Sequence, residues 1–129
     1  MKKFSLITSL FFTFSSIALA GDPADPLPAE SDYYPITTIP LPENEVIEVS
    51  GIDILPGNKV AIASRRGDIF VGEGVLEDKP SPTWTLYARG LHETLGISWK
   101  DGWLYATQRP EVTRMKDRDG DGRADVFRS

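Results

Sequence analysis

The sequence predicts an all-β fold, and within that class a partial β-propeller of about two four-stranded antiparallel blades whose ring is incomplete. Three observations predict it. From Glu45 onward, short runs rich in Val, Ile, Trp and Tyr alternate with turn residues every 5 to 10 positions. Between residues 45 and 116 no apolar period of 3.6 is sustained, so no long helix is expected there. The third observation is a repeat. "SGIDILPGNKVAIASRRGDIFV" lies over "LGISWKDGWLYATQRPEVTRM", matching Gly51-Ile52 to Gly96-Ile97 at a separation of 45 and Ala63-Ser64 to Ala106-Thr107 at 43. A strand–turn–strand unit with a period in the forties is what propeller blades look like in sequence.

Taken from the amino terminus, residues 1–20 read as a signal peptide. Lys2 and Lys3 precede a mostly apolar run from Phe4 to Leu19, and Ala18-Leu19-Ala20 offers the small-x-small pattern at which such leaders are cut. The run is short for a membrane span, so the mature chain is expected to be exported without one. There is no cysteine, which excludes a disulfide framework and covalent haem attachment within these residues. Without Lys2 and Lys3, 12 basic residues stand against 19 acidic ones, a charge of −7. That balance repels phosphate backbones, so nucleic acid is not an expected partner.

Residues 21–44 read as an extended linker. They hold Pro23, Pro26, Pro28, Pro35, Pro40 and Pro42, which remove backbone donors and fix φ. Tyr33, Tyr34, Ile36 and Ile39 are the side chains there that could dock on the domain edge.

Residues 45–129 carry the blades. Strands are expected near Val46–Leu55, Val60–Ser64, Asp68–Gly72 and Thr83–Ala88, then near Gly96–Lys100, Trp103–Thr107 and Glu111–Lys116. The turns between them have their own chemistry: Pro56-Gly57-Asn58, Arg66-Gly67 and Asp101-Gly102. Arg66-Gly67-Asp68, although it spells an adhesion tripeptide, is read as the second of these turns. A fourth strand of the second unit would begin at Phe127-Arg128-Ser129. Two blades cannot close a ring that needs at least four, so the expected partners are the remaining blades, of the same or a longer chain.

The last turn, "DRDGDGRAD", carries the candidate metal site. Asp117, Asp119 and Asp121 occupy the first, third and fifth places of a calcium-type loop. Gly122 supplies the bend, the Arg123 carbonyl takes the seventh place and Asp125 the ninth. Arg128 stands at the twelfth place, where an EF-hand has glutamate, so the loop is closer to the calcium loops of β-domains. The alternative is a solvated acidic hairpin. Because strands alternate in direction, this loop should share one end of the sheets with Asn58 and Asp101. The opposite end would receive His92, Arg65, Arg66, Gln108 and Arg109. A neutral His92 imidazole there can act as a general base, or simply make one ordinary loop hydrogen bond. Arg65, Arg66 and Arg109 can hold a carboxylate or quinone oxygens, though arginines at turn tips are also ordinary.

With these residues in view, the chain resembles a known family. "SGIDILPGNKVAIASRRGDIFV" followed by "GLHETLGISWKDGWLYATQRPEVTRMKDRDGDGRADVF" is similar to the first blades of PQQ-dependent sugar dehydrogenase-like proteins. These are six-bladed propellers of the glucose/sorbosone dehydrogenase type, and the likeness is to the exported bacterial branch often joined to further domains. It covers about residues 32 to 128, with "WLYATQRPEVTRMKDRDGDGRAD" as its specific part. The resemblance implies PQQ and calcium as cofactors, a sugar or alcohol substrate, and a histidine base that takes the hydroxyl proton as hydride passes to the quinone. His92 is the candidate for that base, with Glu93-Thr94 standing where the family motif has two glycines. The other quinone ligands would lie in further blades, so these residues alone are expected to be inactive. The rival expectation is a non-catalytic propeller that binds a polysaccharide or a partner protein.

Overall fold

The computed structural model describes residues 27–129. The expected signal peptide, and the first residues of the linker, lie outside the described residues. The chain divides into two compact units, residues 1–35 and 36–129. What is described of the first is an exposed arm with one 3-10 turn, Glu30–Asp32, closed by the Ala29 N–H donating to Asp32 Oδ2 at 2.8 Å.

The second unit is all-β and holds two four-stranded antiparallel sheets that do not close on themselves. The first comprises β1 (Val49–Leu55), β2 (Lys59–Ser64), β3 (Ile69–Glu73) and β4 (Thr83–Ala88), in that spatial order. The second comprises β5 (Gly96–Lys100), β6 (Trp103–Thr107), β7 (Val112–Lys116) and β8 (Val126–Arg128), again in order. Each strand lies within a few residues of its expected place. β1 starts later than expected, at Val49, and its register with β2 shifts between Val49 and Gly51. No helix among the described residues is long and apolar enough to cross a membrane.

Side chains alternate across each strand, and that period of two sorts the residues into layers. Leu55, Ala61, Ala63, Ile69 and Tyr87 of the first sheet meet Leu104, Ala106 and Met115 of the second in one buried cluster. On the other face of the first sheet, Val60, Ile62, Phe70 and Val75 form a second cluster, with Ile47, Trp84 and Leu86 at its margin. Part of the proline-rich stretch covers that face: the Trp84 indole N–H donates to the Pro40 carbonyl at 2.8 Å, and Arg89 on β4's end pairs with Glu45 at 3.0 Å. Within the second unit Ile36 and Ile39 remain exposed, and the contact with the sheet is made from Pro40 onward.

β1 and β5 run beside each other at the joint between the sheets. Their backbones come so near at Gly51 that a Cβ there would sit 3.0 Å from the Gly96 Cα. These are the two glycines that the repeat places in register, and a side chain at Gly51 would need the β5 backbone to give by a few tenths of an ångström. Asp53 adds a polar tie across the same joint, its carboxylate accepting the Trp99 main-chain N–H at 2.5 Å.

Candidate functional site

Two clusters of polar residues lie at opposite ends of the strands. The β1–β2, β3–β4, β5–β6 and β7–β8 turns gather at one end, and the β2–β3, β4–β5 and β6–β7 connections at the other.

At the first end, the acidic loop is built by its own carboxylates. Asp117 Oδ1 accepts the Gly120 N–H at 2.7 Å and Oδ2 accepts the Gly122 N–H at 2.9 Å. Asp119 accepts from the Asp121 N–H and Asp121 from the Arg123 N–H. Such side-chain-to-backbone bonds hold a tight turn without help from the sheet. The Gly120 N–H above all, with that of Gly122, keeps the Asp117 carboxyl below the usual carboxylate range, against the pull of desolvation. Carboxylate oxygens of Asp117, Asp119 and Asp121 lie within 4.8 Å of one another. Asp125 turns elsewhere, accepting the Arg118 N–H at 3.1 Å and facing the Arg118 guanidinium at 3.6 Å.

Tyr87 fastens this loop to the first sheet at both of its ends. Its hydroxyl oxygen accepts the Asp117 N–H at 3.1 Å, and its main-chain carbonyl accepts the Ala124 N–H at 2.8 Å. Burial pushes the Tyr87 phenol up, and the nearby Asp117 and Asp125 charges push the same way, while the Asp117 N–H opposes them. Sequence reading missed this residue, because nothing in "TWTLYA" separates a core tyrosine from one that grips a loop 30 residues on. Beside it a cleft of about 320 Å³ opens between the sheets, lined by Leu55, Val71, Tyr87, Trp99, Lys59 and Asp117.

The other end brings together most of the residues expected there. The His92 N–H donates to Gln108 Oε1, and the Arg109 N–H donates to the His92 carbonyl at 3.0 Å. The Arg109 guanidinium pairs with Glu93 at 3.0 Å. Gln108 continues inward, its Nε2 donating to Thr113 Oγ1 at 2.6 Å, and the Thr113 hydroxyl donates to Glu111 at 2.7 Å. That hydroxyl is the main reason the Glu111 carboxyl is lowered. The His92 side chain itself is exposed, and only its main chain is engaged among the described residues. Arg65 and Arg66 are exposed at the tip of the β2–β3 turn, which is tied to the same end by the Leu91 N–H donating to the Gly67 carbonyl at 3.0 Å. Gly67 has a φ of +94°, and a Cβ there would fall 1.9 Å from the Leu91 carbonyl oxygen. Only glycine fits this approach.

Two features at this end had no sequence signal. Glu93 adopts a φ of 49°, a conformation that costs a non-glycine residue free energy. Next to it, Thr94 is fully buried and its hydroxyl finds no protein partner. Strained or unsatisfied groups persist where the surroundings over-determine them, and they gather at functional sites.

The residues fit the expected cofactors in part. Three hard carboxylate donors are gathered where calcium takes six to eight oxygens, so a cation would complete its shell from carbonyls and water. Three arginines and a histidine share the other end, but Arg109 already has a carboxylate partner. No family model, no curated protein and no solved structure matches this chain.

Proposed function

We propose that residues 45–129 are two consecutive blades of an exported, calcium-stabilised propeller of the quinoprotein sugar or alcohol dehydrogenase type. One observation carries the reading: two sheets of identical strand order, built from the repeat, lie with β1 and β5 side by side and their matching glycines in contact. The exposed Ile52 and Ile54 on β1 support companion sheets, since a blade needs cover on both faces. In this reading Asp117, Asp119 and Asp121 bind calcium at the rim, where the Tyr87 grip makes the ion a staple between blades. The Arg123 carbonyl and Asp125 would complete the loop's contribution after Asp125 turns from Arg118.

The opposite end would then face the quinone. Arg65, Arg66 and Arg109 would hold its carboxylates and oxygens, and His92 would take the substrate hydroxyl proton, freely accessible as its imidazole is. PQQ, when bound, supplies the hydride acceptor. The strain at Glu93 and the unpaired Thr94 hydroxyl support a site at this end over an ordinary loop.

Reconstitution tests the reading. Protein carrying the companion sheets should oxidise a sugar or alcohol with an artificial electron acceptor only when both PQQ and calcium are supplied, and His92→Ala should abolish it. Ligand binding with neither PQQ absorbance nor oxidation would instead establish the rival, a non-catalytic propeller that holds a polysaccharide or a partner protein.

A further inference from the structure

The outer face of the second sheet gathers cations and aromatics in a way that no other sheet face among the described residues does. Strand alternation and register place Lys100, Trp103, Tyr105, Arg114, Lys116 and Arg128 on it together. The Trp103 ring has the Arg114 guanidinium 4.7 Å from its centroid, with Arg128 at 5.8 Å and Lys116 at 6.0 Å. None of the four cations has an ion-pair partner among the described residues. Concentrating positive charge on one sheet face costs self-repulsion, and here it happens on a chain of net charge −5. A cationic, aromatic face of this kind fits an acidic, aromatic counterpart.

The chain carries that counterpart itself. From Asp22 to Asp53 there are eight acidic residues and no basic one. Within this stretch the arm presents Glu30 and Asp32 on its capped turn, followed at once by Tyr33, Tyr34 and Ile36, which are 65%, 71% and 96% exposed. Large apolar side chains that exposed, rimmed by one sign of charge, mark a binding segment. Pro35 stiffens it in an extended form, which lowers the entropy lost on docking. We infer that the arm of one copy docks on the outer face of the second sheet of another copy, its carboxylates against Arg114, Lys116 and Arg128 and its tyrosines against Trp103 and Tyr105. In the propeller reading a companion sheet would take this same face, so the two readings compete for it; this one uses only the arm and one sheet face of the described residues.

Arm and face are different surfaces, so two copies can exchange arms in a closed pair or add head to tail. Sedimentation velocity on the chain, over a range of concentrations, tests it. At about 0.01 M salt, where the screening length is ~30 Å, the chain should sediment at twice its own mass or more, and at about 1 M, where that length is ~3 Å, as a single chain. Lys116→Glu with Arg128→Glu should weaken association more than about tenfold, and so should Glu30→Lys with Asp32→Lys. All four positions lie outside both buried clusters, so an unchanged thermal midpoint and circular dichroism spectrum will show that the sheets remain folded. Combining the two pairs restores opposite charges with their signs exchanged, and association should return to within about threefold. Single-chain mass at low salt overturns the inference. So does association that neither pair weakens, or a combined variant that stays monomeric.

Discussion

In the first sheet, Val60, Ile62 and Phe70 on the outer face are as well buried as Ala61, Ala63 and Ile69 on the inner one. In the second, Leu104, Ala106 and Met115 are sealed, while Trp103, Tyr105 and Arg114 on the reverse side stay partly open. The strand order, the antiparallel pairing and the central glycines are the same in both. What differs is the cover. The first sheet has the segment from Pro40 to Ile47 and the Val75 side chain on its outer face; the second has no such layer among the described residues. Composition follows over β2 to β4, where apolar side chains lie under the cover, and over the second sheet, where cations and aromatics stand open. Ile52 and Ile54 at the β1 edge are apolar and uncovered. A repeat therefore fixes the backbone of a sheet, and residues outside the repeat decide which of its faces becomes core.

The largest expected effects test that difference directly. Leu104→Ala removes a fully buried side chain between the sheets and should cost about 2–5 kcal/mol in chemical denaturation. Ile62→Ala, on the outer face of the first sheet, should fall in the same range, because its covering layer is real core. Tyr105→Ala is one residue from Leu104 on the exposed side and should cost less than about 1 kcal/mol. Equal costs at Leu104 and Tyr105 would mean that the second sheet is covered on both faces in solution. A small cost at Ile62 would mean that the proline-rich segment is not held down.

Much of this was legible in the sequence, and the reasons are local. Seven of the strands could be placed because Val, Ile and aromatic runs were bounded by Pro-Gly-Asn, Arg-Gly and Asp-Gly turns, whose chemistry is short-ranged. The sorting of Asp117 and His92 to opposite ends followed from strand direction alone. The proximity of Asp117, Asp119 and Asp121 was readable from their spacing, since the loop's bonds all span five residues or fewer among those three acids. Contacts between distant segments were not legible. Tyr87 reaching Asp117, Asp53 reaching Trp99 and Trp84 reaching Pro40 join residues 30 to 46 positions apart, and no local pattern announces them. Nor does sequence reveal that Glu93 takes a left-handed conformation, which tertiary packing imposes against its own preference.

The contacts between the sheets give the next, smaller effects. Tyr87→Phe keeps the buried ring and removes the oxygen that accepts the Asp117 N–H, so a loss of about 1 kcal/mol is expected, with faster amide exchange at Asp117. The same variant should leave exchange at Ala124 slow, because that bond goes to the main chain. At the other end the sign reverses. Thr94→Val replaces an unpaired buried hydroxyl with a methyl of the same shape and should stabilise the fold by up to about 1 kcal/mol. If Thr94→Val is destabilising instead, its hydroxyl has a partner in solution.

The mildest perturbation is acid. Asp117 is held below the usual carboxylate range chiefly by the Gly120 and Gly122 amides, bonds the unfolded chain lacks. A depressed folded value means that ionisation favours the folded loop. Its contribution is fully present above the unfolded value of about 4 and is lost as pH falls through the lowered one. The amide resonances of Gly120 and Gly122 should therefore move together in a single titration with its midpoint below about 4. The amides of Gly51 and Gly96 themselves, unlike that of Trp99 at the same joint, bond no carboxylate and should stay fixed over the same range. Asp117→Asn should abolish that shared titration while leaving the joint unmoved. A loop that instead loosens near neutral pH, or a joint that shifts in step with it, would show that the acidic end and the sheet core respond as one body.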